Sequence, residues 1–398
     1  MKPGLKIALR IIVYTLISAL TISIAFGMGY VTHAIHSPAS GNDASMSLFW
    51  EAWSLIDRHF YGDPIDPVQR TYGAIEGSLA KLDDRYTRFI EPQEHRREQE
   101  DLRGSFGGIG AWIERRPDGR IVLTPMEGQP AERAGVQAGD ELIAVDGMPI
   151  TAEMSLEDVV DRVKGEIGTR IVLTLRREGV DAPIEIEIER QEIVVPSVSW
   201  RVIEDAPEIG YIQLRMFNER TADELKKAIA ELRNQGANRW IIDLRDNGGG
   251  LLSSAIDVAS QFLDGGVVMY DSKSDGQETV HQVRPNGIAR RDPLVILVNG
   301  NTASASEIVA GAIQDVRRGK LIGTQTFGKA SVQLLFELGD GSSLHVTNAH
   351  WLTPNRRDIN GVGLTPDVVI ELTQEAIDAG QDPQLQAAIA ELQGKNEP

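Results

Sequence analysis

The spacing of apolar and polar positions changes several times along this chain, and each change predicts a new kind of element. Residues 11–31 carry no charge, and Lys2, Lys6 and Arg10 precede them. A helix that crosses a bilayer needs about 20 such residues, whereas the apolar core of a cleaved leader runs about 7–15. The stretch predicts an uncleaved transmembrane signal anchor. Its basic flank lies in the cytoplasm and the rest of the chain is extracytoplasmic, in the periplasm or at the cell exterior. Ser37-Pro38-Ala39-Ser40 offers the alternative of a cleavage point. Residues 32–47, rich in Ser, Gly, Asn and Asp from Ser37 onward, read as a linker. Residues 48–103 are helical in pattern. Phe49, Trp50, Trp53 and Ile56 recur at helical spacing, as do Tyr72, Ile75 and Leu79, and both sets read as core-facing stripes.

From residue 104 to residue 190 the texture becomes short strands and turns. A Gly-rich loop, Phe106-Gly107-Gly108-Ile109-Gly110-Ala111, leads into the first of them. Ile184, Ile186 and Ile188 alternate with Glu185, Glu187 and Glu189, which predicts a half-buried strand that closes this region. Residues 191–398 are mixed α/β. Ile209–Leu214, Trp240–Leu244 and Leu294–Val298 read as strands, the last two as buried ones. Thr221 caps a helix over 222–234, and a second helix runs over 251–263. Residues 336–347 form a hairpin by pattern, and residues 382–392 a short amphipathic helix.

Composition narrows the function classes. A chain of 398 residues exceeds one ordinary domain. Its formal net charge of −18 argues against nucleic acid and against an anionic membrane surface as partners. There is no cysteine, which removes disulfides, thiolate zinc sites and cysteine nucleophiles. Asp83 and Asp84 have the chemistry of metal ligands, but no partner cluster accompanies them, so they read as turn residues and no metal is expected.

The stretch around which the chemistry is organised runs from Asn299 to Gln333. The strand Leu294–Val298 ends in the turn Asn299-Gly300-Asn301, small residues follow, and a helix continues through Ile308, Val309, Ala312 and Ile313. Ser304 therefore lies where a strand gives way to a helix, beside free helix N–H groups that favour negative charge. Its plain reading is a helix cap, because Ser304-x-x-Glu307 has the spacing of a capping box. Arg245-Asp246-Asn247-Gly248-Gly249-Gly250 joins another strand to another helix, as phosphate loops do. It lacks the nucleotide fingerprint, since there is no G-x-G-x-x-G and no Gly-Lys-Ser/Thr.

Taken together, the motifs resemble those of the C-terminal processing peptidases, the tail-specific serine proteases. Their Ser-Ala-Ser-Ala-Ser-Glu-Ile run matches Thr302–Ile308, with Thr302 in place of the first Ser. Their Phe-Gly-Lys-Gly-x-Val-Gln matches Phe327–Gln333, with Ala330 after the Lys. Leu82-Asp83-Asp84-Arg85-Tyr86-Thr87 is similar to their Leu-Asp-Asp-Pro-Tyr-Thr, with Arg85 for Pro. Asp243–Gly250 is similar to their Asp-Leu-Arg-x-Asn-Pro-Gly-Gly, with Gly248 for Pro, and Gly361–Asp367 to their Gly-Ile-x-Pro-Asp. Residues 104–190, with Ala134-Gly135-Val136-Gln137-Ala138-Gly139-Asp140 behind the Gly-rich loop, resemble a PDZ domain. The resemblance implies an α+β multidomain protein: the N-terminal transmembrane helix, a helical N-terminal segment, the PDZ domain, and an α/β (crotonase/Clp-like) serine protease core. It implies catalytic Ser304, Lys329 and Gln333 and an oxyanion hole from Gly249 and Ala305, with Gly250 as the alternative donor. Glu307 would brace the helix start. Gly108, Ile109 and Gly110 would hold a substrate's terminal carboxylate on backbone N–H groups. Protein substrates with free C-termini are the implied partners, and no cofactor is implied.

The residues must meet a physical requirement. A serine hydroxyl attacks a carbonyl only after a base removes its proton. Lys329 can be that base only when neutral, and a free lysine costs about 4–5 kcal/mol to neutralise at pH 7. Burial shifts lysine by up to about 3–5 units, which is the size required. The rival arrangement is a Ser-His-Asp triad using His345 or His350, the histidines nearest in sequence. Two other classes compete: a non-catalytic PDZ scaffold on a retained protease fold, and a hydratase-like acyl-CoA enzyme on a related fold.

Overall fold

The computed structural model describes residues 42–395, so the apolar segment 11–31 and the linker up to residue 41 lie outside the described residues. Among the described residues no helix is long and apolar enough to cross a membrane. The chain falls into two compact units that divide after Gly73.

The first unit holds the helix Asn42–His59 and the start of the helix Pro67–Leu79. Asp66 caps the latter, accepting from the Val68 N–H at 2.8 Å, and Pro67 sits at the first helical position, where its missing N–H costs nothing. The aromatic stripe does not face a core here. Trp50 is 53% exposed and Ile56 is exposed as well. Phe49 stacks on Trp53 with centroids 6.0 Å apart, and the Arg70 guanidinium lies over both tryptophan rings, 5.6 Å from Trp50 and 5.3 Å from Trp53. Helical spacing gathers the rings on one side, but the cation covers them in place of apolar partners.

The second unit contains three larger sheets and a two-stranded pair. A six-stranded sheet is ordered Val198–Ile203, Ala206–Leu214, Arg239–Asp243, Leu294–Val298, Lys320–Gly323, Val368–Val369. Its first pair is an antiparallel hairpin and the other pairings are parallel. Both faces are covered, which is why Leu294–Val298 is buried at every position. Trp240, Ile242, Leu294 and Ile296 pack against the helices Thr221–Asn234, Leu252–Phe262 and Ala305–Asp315. Ile241, Val295 and Leu297 pack against the C-terminal helix Pro383–Leu392 on the other side. Asp382 caps that helix through the Leu385 N–H, and Arg245 fastens it to the sheet by joining Asp382 to the buried Asp243. The Asp-Leu-Arg motif therefore has a structural task. Tyr211 donates to Asp243 at 2.6 Å, and burial together with that carboxylate pushes the phenol well above its ordinary range.

A second sheet flanks this core. Ser331–Glu337 and Ser343–Leu352 form the expected hairpin, with Glu337 opposite Ser343. Arg88–Ile90 and Val267–Lys273 both pair with the free edge of Ser343–Leu352, at its two ends, and Glu278–Gln282 pairs beyond Val267–Lys273. The short strand Arg88–Ile90 corrects the helical reading of residues 48–103: Phe89 pairs with Leu344 and both Phe89 and Ile90 are buried.

The PDZ-like region is an antiparallel sheet of Ala111–Arg115, Ile121–Pro125, Asp140–Val145, Met148–Pro149, Arg170–Arg176 and Ile184–Glu189, with its own core around Leu123, Leu142, Val159 and Leu173. Ser155 caps the helix Leu156–Val163 in a full capping box with Asp158. The helix Pro92–Arg103 braces this region from outside. Arg97 pairs with Glu157 and Asp161, and Lys164 pairs with Glu100 at 2.8 Å.

Candidate active site

Two loops at the carboxyl ends of neighbouring parallel strands build the site, the usual place for ligands in open α/β sheets. One is Leu244–Leu251 after Arg239–Asp243; the other is Asn299–Ser304 after Leu294–Val298. They are laced together. Asp246, at φ 60°, accepts from the side-chain amides of Asn299 and Asn301 at 2.8 and 2.9 Å, and those bonds hold its carboxyl below the usual range. Thr302 donates its hydroxyl to the Leu244 carbonyl, and the Asn247 carbonyl accepts from both Ala303 N–H and the Ser306 hydroxyl.

Ser304 stands at the N-cap of the helix Ala305–Asp315 with φ 55° and ψ −117°. A serine pays a steric penalty there that glycine would not; strain of this kind gathers at functional turns. Both arms of a capping box are in place, but only the Glu307 arm, the Ser304 N–H to Oε2 at 2.9 Å, has full hydrogen-bond geometry.

Glu307 does far more than brace the helix start. Its side chain is fully buried and its two oxygens accept four donors. Oε1 takes the Thr326 hydroxyl at 2.6 Å and the Gly328 N–H at 2.7 Å; Oε2 takes the Ser304 and Lys329 N–H groups, each at 2.9 Å. One carboxylate therefore fixes the backbones of Ser304 and Lys329 to each other. Gly328 is required beside it: φ is 87°, and a Cβ there would lie 2.7 Å from the Gly363 nitrogen.

Ser304, Lys329 and Gln333 line one cavity of about 530 Å³ together with Ala305, Gly248, Gly250, Arg85, Tyr86, Arg88, Glu98 and His345. Burial, with the Arg88 guanidinium beside it, holds the Lys329 amine below the ordinary lysine range; Glu98 opposes this and Arg85 adds to it. The Lys329 Nζ lies 5.0 Å from the Tyr86 ring centroid, and no hydrogen bond joins it to Ser304 among the described residues. Gln333 follows a bulge after Val332, and its amide donates to the Ser331 hydroxyl at 2.7 Å rather than to the lysine.

The two glycines named for the oxyanion hole have different surroundings. Gly249 packs against Ser304, where a Cβ would come within 2.9 Å of the serine Cβ, but its N–H is already donated to Asn247 Oδ1 at 2.9 Å. An Asn side chain closing a turn two residues ahead takes the donor that the motif reserved. Gly248, Gly250 and Ala305 line the cavity, and their N–H groups have no acceptor in the described chain.

Sequence reading missed Glu98 at the site and carried His345 only as a rival base. His345 is 8% exposed in its side chain, with Nε2 3.1 Å from Glu98 Oε2. Burial pushes Glu98 up, but His345, Arg88 and His95 outweigh it and hold the carboxyl low. His345 thus pairs with a carboxylate in the cavity, while His350 on the same strand is exposed and does not line it. The Leu82–Thr87 segment carried the only sequence signal for this wall of the cavity. Asp84 there forms a turn, accepting from the Tyr86 N–H and the Thr87 hydroxyl.

In the PDZ-like region Gly108 ends a strand, Ser105–Gly108, paired with Gln191–Val194. Ile109 is buried. Gly110 has φ 68°, and a Cβ there would lie 2.3 Å from that of Gln129. The strand Ala111–Arg115 that follows has one free edge, and the helix Leu156–Val163 packs beside it.

Comparison with known proteins places these features. The description "Peptidase family S41" matches residues 208–370, and "PDZ domain" matches residues 121–177. The chain is 37% identical over 350 residues to a carboxyl-terminal-processing protease of Synechocystis sp., covering 86% of this chain and 81% of that one. It is 34% identical over 379 residues to the carboxy-terminal processing protease CtpA of Bacillus subtilis, covering 94% and 79%. Among solved structures it is similar to the photosystem II D1 C-terminal processing protease, with 35% identity, a TM-score of 0.47, and coverage of 80% of this chain and 86% of that chain.

Proposed function

Because the chain belongs to peptidase family S41 and is a carboxyl-terminal-processing serine peptidase with a PDZ domain, we propose that Ser304 is its nucleophile and Lys329 its general base. The observation that carries this is a strained Ser304 and a lysine of lowered proton affinity on one cavity wall, fixed to each other through Glu307. The Ser304 Oγ attacks the scissile carbonyl as Lys329 Nζ takes its proton. The C–N bond then breaks, and Lys329 returns the proton to the leaving amine. Water attacks the acyl-serine ester, again giving a proton to Lys329, and the acid product leaves with Ser304 restored. Ala305 N–H and a Gly of the Gly248–Gly250 turn stabilise the oxyanion; Gly250 is the better candidate, since Gly249 is engaged by Asn247. Gln333 positions the amine once Ser304 and Lys329 close on substrate; apo geometry of this kind is commonly loose.

In this reading the substrates are extracytoplasmic proteins cut near their C-termini. The free edge of Ala111–Arg115 takes the substrate tail as an added strand, with its terminal carboxylate at Gly108, Ile109 and Gly110. Residues 11–31 anchor the enzyme in the cell membrane as a single span, with the catalytic part outside the cytoplasm; their length and basic flank support this.

Ser304→Ala and Lys329→Ala should each abolish cleavage of casein while leaving the fold intact by circular dichroism. His345 in the cavity makes the control informative. If Lys329→Ala kept wild-type turnover and His345→Ala lost it, the base would be the histidine.

A further inference from the structure

The chain is strongly acidic overall, yet one side of the catalytic cavity carries guanidinium groups. Arg88 is occupied there, lying 3.4 Å from Glu98 and 4.0 Å from Glu94. Arg85 is different. It lines the cavity that holds Ser304, is exposed, and has no carboxylate within ion-pair reach among the described residues. Its neighbour Asp84 is taken up by the Tyr86 N–H and the Thr87 hydroxyl.

Arg85 is nonetheless held. Its guanidinium lies 4.6 Å from the Tyr86 ring centroid and 5.4 Å from that of Phe327, and it donates to the Tyr86 hydroxyl. Two aromatic rings hold the flat cation, and one of its five N–H donors is used on Tyr86. Donors remain for a planar, bidentate acceptor, which is the geometry of a carboxylate. Phe327 and Tyr86 are also the surroundings of Lys329, so the open cation stands next to the reacting groups.

We propose that Arg85 is a carboxylate-binding subsite of the catalytic cavity, selecting substrates with an anionic group close to the scissile bond. That group is an acidic side chain or the substrate's own terminal carboxylate. An acidic segment would otherwise be repelled by this protein's net charge, and a single open cation in the cleft reverses that locally. The proposal rests on the Ser304–Lys329 cavity being the peptide-cleaving centre.

The test uses the full chain, Arg85→Gln and Arg85→Lys. One substrate pair carries Asp or Asn just beyond the scissile bond with identical tails; a second ends there as free acid or amide. Any contribution of the PDZ region is common to all three proteins and cancels between them. The wild type should favour the anionic member of one pair by about 5- to 10-fold in kcat/KM, as for a partly exposed charge-assisted bond. Arg85→Gln should fall below about 2-fold and Arg85→Lys should keep part of the preference. Raising salt from about 50 to about 500 mM should compress the ratio of the wild type and of Arg85→Lys and leave that of Arg85→Gln unchanged. The pair that responds identifies the source of the carboxylate. Equal ratios in wild type and Arg85→Gln for both pairs would overturn the subsite while fluorophosphonate labelling of Ser304 stays intact. Loss of labelling in the wild type would instead remove the nucleophile assignment. In that case fluorescence anisotropy of the same labelled peptides decides the subsite, an unchanged acid-to-neutral binding ratio in Arg85→Gln counting against it and a collapsed one for it.

Discussion

Glu307→Gln is the most searching perturbation of the active-site wiring. The fully buried carboxylate accepts four hydrogen bonds, two on each oxygen. A glutamine keeps the shape but offers one oxygen and one NH2 group. If its oxygen replaces Oε1, the NH2 faces the Ser304 and Lys329 N–H groups, donor against donor. If its oxygen replaces Oε2, the NH2 faces the Gly328 N–H and the Thr326 hydroxyl, which already accepts the Leu364 N–H at 2.7 Å. The first choice strands two backbone donors and the second at least one. Bonds to a charged group are worth about 1.5–3 kcal/mol each when lost, so the variant should lose at least about 1.5–3 kcal/mol, and about 3–6 kcal/mol where two donors are stranded. That is a large part of the ~5–15 kcal/mol that typically holds a domain folded. Urea unfolding of the purified protein measures it, and the rate of fluorophosphonate labelling reports whether Ser304 stays in place. Labelling should slow even under conditions where the variant remains folded, because both turns lose their common anchor. A variant within about 1 kcal/mol of wild type that labels at the wild-type rate would refute the claim that Glu307 sets the Ser304–Lys329 geometry.

Other predictions follow from single features. Lys329→Met should melt above the wild type at pH 7: the folded-state lysine lies below its unfolded value of about 10.4, so the unfolded chain binds the extra proton and the native lysine penalises folding until pH rises through that window. The melting gap should therefore narrow toward pH 10 or so, and a gap that is constant or widens with pH would contradict the shift. Full-length protein should stay with carbonate-washed membranes; a shortened soluble form beginning near Ser40 would mean that residues 11–31 are removed. A peptide ending in Ala-Ala should be processed faster than its C-terminal amide, and Gly110→Gln, which cannot fit against Gln129, should erase that difference without abolishing Ser304 labelling; equal rates for acid and amide in the wild type would exclude tail recognition at this loop.

What the sequence made legible is what local physics determines. Leu294–Val298 could be read as a buried strand because a sheet covered on both faces needs an unbroken apolar run. The Ile/Glu alternation over 184–189 marked a strand with one wet face. The turns bearing Ser304 and Gly248–Gly250 announced themselves through small residues between a strand and a helix. The misreadings have the opposite character. Arg88–Ile90 is only three residues long, and its pairing with Ser343–His345 comes from the far end of the chain; no local period can signal that. His345 and Glu98 meet across the same distance in sequence. The stripe Phe49–Ile56 had the right period, but a period says which residues share a face and not what covers it. The bond that engages the Gly249 N–H was hidden for a subtler reason: an Asx turn is as local as the motif itself, and its claim on the N–H becomes visible only once the Asn247 side chain has a direction.

The capping box at Ser304 shows why the plain and the catalytic readings of one motif need not compete. A cap exists to supply acceptors for the first N–H groups of a helix. Here the acceptor is Glu307, and the same side chain also reaches the Gly328 and Lys329 N–H groups on the far loop. An ordinary Ser cap has extended backbone, as Ser155 does at φ −65° and ψ 159°. Ser304, at φ 55°, does not, and conformations of this kind cost about 1–3 kcal/mol. Charge-assisted bonds from a buried carboxylate are strong enough to offset that cost. The cap at Ser304 thus holds a strained serine in the same cavity as a half-buried lysine, and the spacing Ser-x-x-Glu serves both purposes because one glutamate is long enough to touch both turns.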